Sequence, residues 1–194
     1  MCSTTNDMKT ALPDKQQLRL SMVDTRRNIP MFEKRESDRK IAETLIGLPE
    51  WKHAKHICLY VSLPAEVDTR MLLEELFRQG KTVSIPKIHP DEGISIRMVK
   101  SVHDLTPGQL HILEPKDSCP LAMPGEVDVF IVPGLVFDRS RHRLGWGRGF
   151  YDRLLAGVGG KKIGLGFSCQ IVDALVHEPH DVPLDMIITE KEII

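Results

Sequence analysis

Apolar residues in this chain fall in short, nearly unbroken runs separated by longer amphipathic stretches. That spacing predicts alternating strands and helices. His56–Ser62, Thr82–Pro86, Val127–Gly134, Lys162–Phe167 and Met186–Thr189 read as strands. The more continuous runs suit strands buried on both faces. Ile94–Val99 alternates and reads as a further strand. A first helix covers Lys15–Arg26, where Asp14 as N-cap and Gln17 three residues on match a capping box. A second helix is expected over Ser37–Ile46, capped by Ser37 and ended by Gly47 and Pro49. A third runs from Asp68 or Thr69 to Gln79, with Gly80 as the residue after its C-cap. A fourth covers Phe150–Leu155.

From residue 57 onward strand, helix and strand alternate. This predicts a single α/β domain over residues 1–194, with residues 1–12 as a loose tail. Its sheet is expected to be open and mostly parallel with helices on both faces, a Rossmann-like three-layer arrangement. Ligands of such sheets bind outside the carboxyl ends of the strands. The Ser62–Asp68, Pro133–Asp138 and Gly145–Gly149 loops all follow candidate strands, so they can converge on one rim.

Composition narrows the function classes. A chain that is 41% hydrophobic and 27% charged is an ordinary soluble globular protein. Its formal net charge of −1 gives no general attraction to nucleic acid or to an anionic membrane, so any anion site must be local. The four cysteines (Cys2, Cys58, Cys119, Cys169) form no Cys-x-x-Cys pair, which suits a reducing compartment. No apolar run approaches about 18 residues, so no membrane span is expected. The polar start Met1–Asn6 lacks an apolar signal core, and the expected location is the cytoplasm.

A local anion site is visible in Arg143-Leu144-Gly145-Trp146-Gly147-Arg148-Gly149-Phe150-Tyr151-Asp152-Arg153. Alternating glycines let backbone N–H groups cradle an anion. Arg143 and Arg148 can present guanidinium forks to phosphate oxygens, and Asp152 can hold Mg²⁺ beside them. Lys15 and Arg19 share a helical face, where like charges four apart repel unless an anionic ligand or solvent screens them. Glu66 and Asp68 can accept hydrogen bonds from a donor-rich heterocycle or cap the next helix. His177-Glu178-Pro179-His180-Asp181 clusters His and carboxylates, but its prolines and the lack of a matching Cys/His set argue against zinc. Asp181 or Asp185 is the better candidate for a second carboxylate near Mg²⁺. Trp146, Phe150 and Tyr151 among arginines resemble an RNA-stacking patch, which 5% aromatic content and balanced charge disfavour.

In order along the chain, five segments together resemble the 5-formyltetrahydrofolate cyclo-ligase family. They are Lys15-x-x-x-Arg19, Glu66-Val67-Asp68-Thr69, Gly134-Leu135-Val136-Phe137-Asp138, Arg143 through Asp152, and His180-Asp181-x-Pro-Leu-Asp185. The resemblance implies conversion of 5-formyltetrahydrofolate to 5,10-methenyltetrahydrofolate, with ATP as co-substrate, Mg²⁺ as cofactor, and release of ADP and phosphate. It implies that Lys15, Arg19, Arg143 and Arg148 contact the ATP phosphates. Gly145, Trp146, Gly147, Gly149, Phe150 and Tyr151 would complete the nucleotide site, with Lys15, Arg148 and Tyr151 catalytic. By the same resemblance Asp152 and Asp185 serve Mg²⁺, and Glu66 orients the pterin. Val61, Leu110, Trp146 and Phe150 would line the folate pocket. The expected partners are the folate and ATP alone, with no nucleic acid and no membrane, in a monomer or weak homodimer. Trp146, Phe150 and Leu110 depart from residues common in the family. A catalytically silent binding relative is the second reading, disfavoured by the intact cations and carboxylates. A dinucleotide oxidoreductase is disfavoured because its glycine fingerprint should open the first βα unit.

Overall fold

The computed structural model describes residues 14–89, 93–108 and 112–194. In chain order the first elements are α1 (Lys15–Arg27), α2 (Met31–Gly47), α3 (Pro49–His53), β1 (His56–Cys58), α4 (Arg70–Arg78), β2 (Thr82–His89) and β3 (Gly93–Val99). There follow β4 (Leu105–Pro107), β5 (Leu113–Pro115), β6 (Val129–Val132), β7 (Val136–Asp138), β8 (Arg143–Leu144) and α5 (Phe150–Leu155). The last are β9 (Lys161–Leu165), β10 (Ile171–Val172) and β11 (Met186–Ile188).

Six strands form the central sheet in the order β11-β9-β6-β1-β2-β3. All neighbours are parallel except β3, which returns antiparallel beside β2. Pairing sets Ile57 beside both Val83 and Val129, and Ile131 beside Ile163. Because side chains alternate along a strand, Ile57, Val129, Ile131 and Ile163 fall in one core with α2, α3 and α4. Cys58, Phe130, Val132 and Ile187 fall in the other, with Leu154 and Leu155 of α5. Helices therefore lie on both faces, as expected, but unequally. The second face is covered by the six-residue α5 together with Phe137 of β7. Ile41, Leu45, Trp51, Leu72 and Leu76 are fully buried in the first core, each such side chain stabilising the fold by about 1.5–3 kcal/mol.

Helix α1 lies apart from the central sheet. Its Leu18, Met22 and Val23 pack on Leu135, Val136, Leu144 and Leu175, around the small sheet β10-β7-β8. Its start is as expected: the Asp14 carboxylate accepts from the N–H groups of Gln16 and Gln17 at 3.0 and 3.2 Å.

Two expectations are corrected. Helix α2 begins at Met31, after Pro30, so Ser37 is interior rather than a cap. Pairs spaced for a helix, Lys34 with Asp38 and Arg39 with Glu36 and Glu43, support the longer element. Strand β1 stops at Cys58 instead of reaching Ser62. Thr69 holds the chain beyond it: its hydroxyl donates to the Tyr60 carbonyl at 2.7 Å and accepts from the Ser62 N–H at 3.2 Å. Thr69 thus shapes the loop after β1, and its side chain makes no capping bond to α4. Among the described residues Cys58, Cys119 and Cys169 are free thiols, and no helix is long and apolar enough to cross a membrane.

Candidate functional site

Beyond the carboxyl end of β6, the Pro133–Leu135 segment forms one wall of a cleft of about 420 Å³, within the range of small-molecule sites. The first turns of α1, Glu66, the stretch from His142 to Arg153 and the Leu175–Asp181 loop complete it. Asp138, 1% exposed, holds two of these segments together. Its Oδ1 accepts from the N–H groups of Ser140 and His142, and its Oδ2 from that of Leu175, all within 3.0 Å. The His142 and His177 rings then stack, with centroids 3.9 Å apart.

Glycines are required where the loop meets α1. Gly147 has φ +93°, and a Cβ there would sit 3.1 Å from Arg19 Nη2. Arg19 Nε donates to the Gly145 carbonyl at 2.9 Å, fixing the loop to the helix. Gly149, at φ 62°, is the N-cap of α5.

Two of the loop's charges, Arg143 and Asp152, pair with each other. Arg143 Nη2 donates to Asp152 Oδ1 at 2.8 Å and its guanidinium lies over the Tyr151 ring. Asp152 Oδ1 also accepts from the Val182 N–H at 3.2 Å, which draws the neighbouring Asp181 to the cleft. Lys15 Nζ stands 3.5 Å from Glu178 Oε1 and 3.6 Å from Asp181 Oδ2. Arg153 lies over Phe150 and donates to the Arg148 carbonyl at 3.0 Å. The exposed Arg148 guanidinium forms no ion pair among the described residues.

Glu66 contrasts with this set. It is 9% exposed and accepts from the Leu63 N–H at 2.9 Å. Burial pushes its carboxyl above the usual range, while that N–H and the charges of Arg26 and Lys34 pull the other way. Burial also raises the Tyr151 hydroxyl well above its ordinary value, with Cys58 and Glu66 adding to the effect, so that tyrosine stays protonated at neutral pH.

Lys15, Arg19, Glu66, Arg143 and every residue from Gly145 to Asp152 line the cleft. Two expected residues do not. Val61 packs at the edge of the core on the α2–α4 face. Asp185 lies at the amino-terminal ends of β9 and β11, where it accepts from the Lys162 N–H at 2.8 Å and from Lys161 Nζ at 3.2 Å. Leu184 is buried beside it as the chain turns into β11, which carries Asp185 away from the cleft. Leu110 lies outside the described residues. Glu178, His142 and His177 line the cleft without having been expected there. The His177–Asp181 cluster was the visible signal for two of them. Among the described residues no three His, Cys, Asp or Glu side chains group to cage a metal. One or two carboxylates are enough for Mg²⁺ that shares phosphate oxygens and keeps its waters.

Chemically, the cleft offers cations and turned backbone N–H groups to an anion, carboxylates to a hard cation, and one buried carboxylate to a hydrogen-bond donor. The chain as a whole is similar to proteins of known name. The chain is 32% identical to the 5-formyltetrahydrofolate cyclo-ligase of Haemophilus influenzae, over 88% of this chain and 94% of that one. It is also 32% identical to that of Escherichia coli K12, over 87% and 96%. The NMR structure of a 5,10-methenyltetrahydrofolate synthetase from Aquifex aeolicus superposes with a TM-score of 0.83 at 36% identity, covering 92% of this chain and 91% of that one. A synthetase of the same name from Mycoplasma pneumoniae gives a TM-score of 0.76 at 28% identity, covering 92% and 99%. Matched over residues 11–190 by the model of the 5-formyltetrahydrofolate cyclo-ligase family, this chain belongs to that family.

Proposed function

We propose that this protein converts 5-formyltetrahydrofolate to 5,10-methenyltetrahydrofolate, consuming ATP and releasing ADP and phosphate. The observation that carries this reading is that one cleft joins Lys15, Arg19, Arg143 and Arg148 to the buried carboxylate of Glu66. A site for phosphates and a site for a donor-rich heterocycle thereby share one cavity.

In the reaction the formyl oxygen attacks the γ-phosphorus of ATP and ADP leaves. The N10 lone pair then attacks the activated formyl carbon. Phosphate departs with the former formyl oxygen, and N10 loses its proton as the ring closes. Such transfer depends mainly on positioning and charge stabilisation, which matches a site rich in cations and poor in strong nucleophiles. Arg148, exposed and with no ion pair among the described residues, would meet the transferring phosphoryl group. Arg19 and the Gly145–Gly149 backbone hold the polyphosphate. Glu66 orients the pterin by accepting its N–H donors, and Trp146 and Phe150 flank the bound molecules.

For Mg²⁺ the residues fit. Asp152 and Asp181 both line the cleft, and each is balanced by a cation that phosphate can also receive: Arg143 for Asp152 and Lys15 for Asp181. When bound, the ion would neutralise phosphate charge. Asp181, rather than Asp185, is the second carboxylate of this reading.

The test is absorbance in the methenyltetrahydrofolate band with purified protein, 5-formyltetrahydrofolate, Mg²⁺ and ATP, against a run without ATP. An ATP-dependent rise is expected. No rise, with both ligands shown to bind, would reduce the protein to a binding relative.

A further inference from the structure

One part of the cleft serves neither the phosphate cations nor Glu66. There the His142 and His177 rings lie flat on each other, with centroids 3.9 Å apart and planes 4° from parallel. His142 is the inner ring. Its side chain is 16% exposed, and its backbone N–H donates to Asp138 Oδ1 at 2.8 Å. His177 is exposed and forms the outer layer. Val176 beside it is 48% exposed and lines the cleft with Leu135, Leu144 and Leu175, three leucines that pack together under α1. The chain from Leu175 to His177 has no regular structure. Among the described residues the N–H groups of Val176 and His177 donate to nothing, and the Val176 carbonyl accepts nothing. These groups are therefore open to the edge of a heterocycle.

Phosphate recognition needs none of these features. A flat π surface, an apolar flank and open backbone groups are what a purine base uses, by stacking on its face and hydrogen bonding to its edge. The position agrees. His177 is followed by Glu178, whose Oε1 stands 3.5 Å from Lys15 Nζ, so the stack adjoins a cation of the phosphate site. Glu66, by contrast, belongs to the loop after β1, in a different wall of the cleft. We propose that the His142–His177 stack, with Val176, seats the adenine base of the nucleotide. The proposal rests on the reading of the cleft as an ATP site. His177 presents its ring face to the base, and His142 holds that ring in place from behind. A ring already held by stacking loses little freedom when the base arrives.

The experiment measures dissociation constants by calorimetry, with Mg²⁺ and without folate, so that no turnover occurs. The ligands are ATP and inorganic tripolyphosphate, which carries the phosphates without the base. The proteins are wild type, His177→Ala and His177→Phe. His177→Ala should weaken ATP about tenfold, the scale for losing one base–aromatic stack, and leave tripolyphosphate unchanged. His177→Phe keeps a flat ring and should bind ATP as wild type does. Unchanged ATP affinity in His177→Ala would overturn the proposal. So would an equal weakening of ATP and tripolyphosphate, which would make the stack a structural tie between loops. Tripolyphosphate that fails to bind the wild-type protein would sink the phosphate reading of the cleft, and the proposal with it. Should His177→Ala disturb its loop, proton NMR of the wild-type protein decides. The His177 ring signals should shift with ATP and stay in place with tripolyphosphate, and equal shifts with both refute the proposal.

Discussion

Arg19 Nε donates to the carbonyl of Gly145 at 2.9 Å, a hydrogen bond between residues 126 positions apart. It ties α1 to the glycine loop, so neither segment forms its half of the proposed phosphate site alone. Gly147 lets the guanidinium approach, because its positive φ and missing side chain leave that space open.

Gly147→Ala should therefore act through both strain and displacement. Holding a non-glycine residue at positive φ costs on the order of 1–3 kcal/mol, and the new methyl would press on Arg19. KM for ATP should rise about tenfold, with a smaller change in KM for the folate. Initial rates with each substrate varied in turn check this. Equal effects on the two would contradict the assignment of the loop to the nucleotide.

Arg148 is exposed and forms no ion pair among the described residues, so its loss should leave the fold intact. Arg148→Ala should lower kcat by about 10²–10³, the scale for removing one charge-stabilising donor. The thermal midpoint should match wild type. Unchanged turnover would remove Arg148 from the phosphoryl site.

Asp152 and Asp181 line the cleft, whereas Asp185 is at the other end of the sheet. Titrating Mg²⁺ into each Asn variant distinguishes them. Asp152→Asn and Asp181→Asn should raise the half-saturating Mg²⁺ by about tenfold or more. Asp185→Asn should leave it in place but lower the thermal midpoint, because Asp185 accepts from both the Lys162 N–H and Lys161. A rise confined to Asp185→Asn would reverse the assignment.

Asp128 predicts an acid limb of stability. Its Oδ2 accepts from the N–H groups of Lys55 and His56 at 2.7 and 2.9 Å. The His56 N–H chiefly holds its carboxyl below the ordinary 3.8, with the Lys55 N–H adding to it and burial opposing. A depressed folded value means that its contribution is complete above 3.8 and is lost as pH falls through the lower folded value. Asp128→Ala should lower the thermal midpoint near neutral pH, and the gap to wild type should close in the acid range below 3.8. A gap independent of pH would show that the carboxylate charge plays no part.

Trp146 is 59% exposed at the cleft, whereas Trp51 is fully buried. Ligand entering the cleft should change the emission of Trp146 alone. The change should vanish in Trp146→Phe, and its persistence there would place binding elsewhere.

What the chain determined by itself was whatever depends on near neighbours. The apolar runs located the strands of the central sheet, Asp14 marked the start of α1, and the loop from Arg143 to Asp152 was readable because its glycines, arginines and carboxylate are contiguous. Periodicity, caps and glycine spacing act over a few residues, so they are written into the sequence directly. Tertiary structure decided the rest. Asp181 and Asp185 are four apart with the same side chain, and only the burial of Leu184 and the pairing of β11 with β9 send them to opposite ends of the sheet. Thr69 looked like a helix cap until the Tyr60 carbonyl and the Ser62 N–H took up its hydroxyl. Glu178 meets Lys15, and Arg26 reaches the Gly134 carbonyl, only because α1 packs on the small sheet rather than the large one. Those relationships depend on which surfaces bury each other at long range, and no local pattern carries that information.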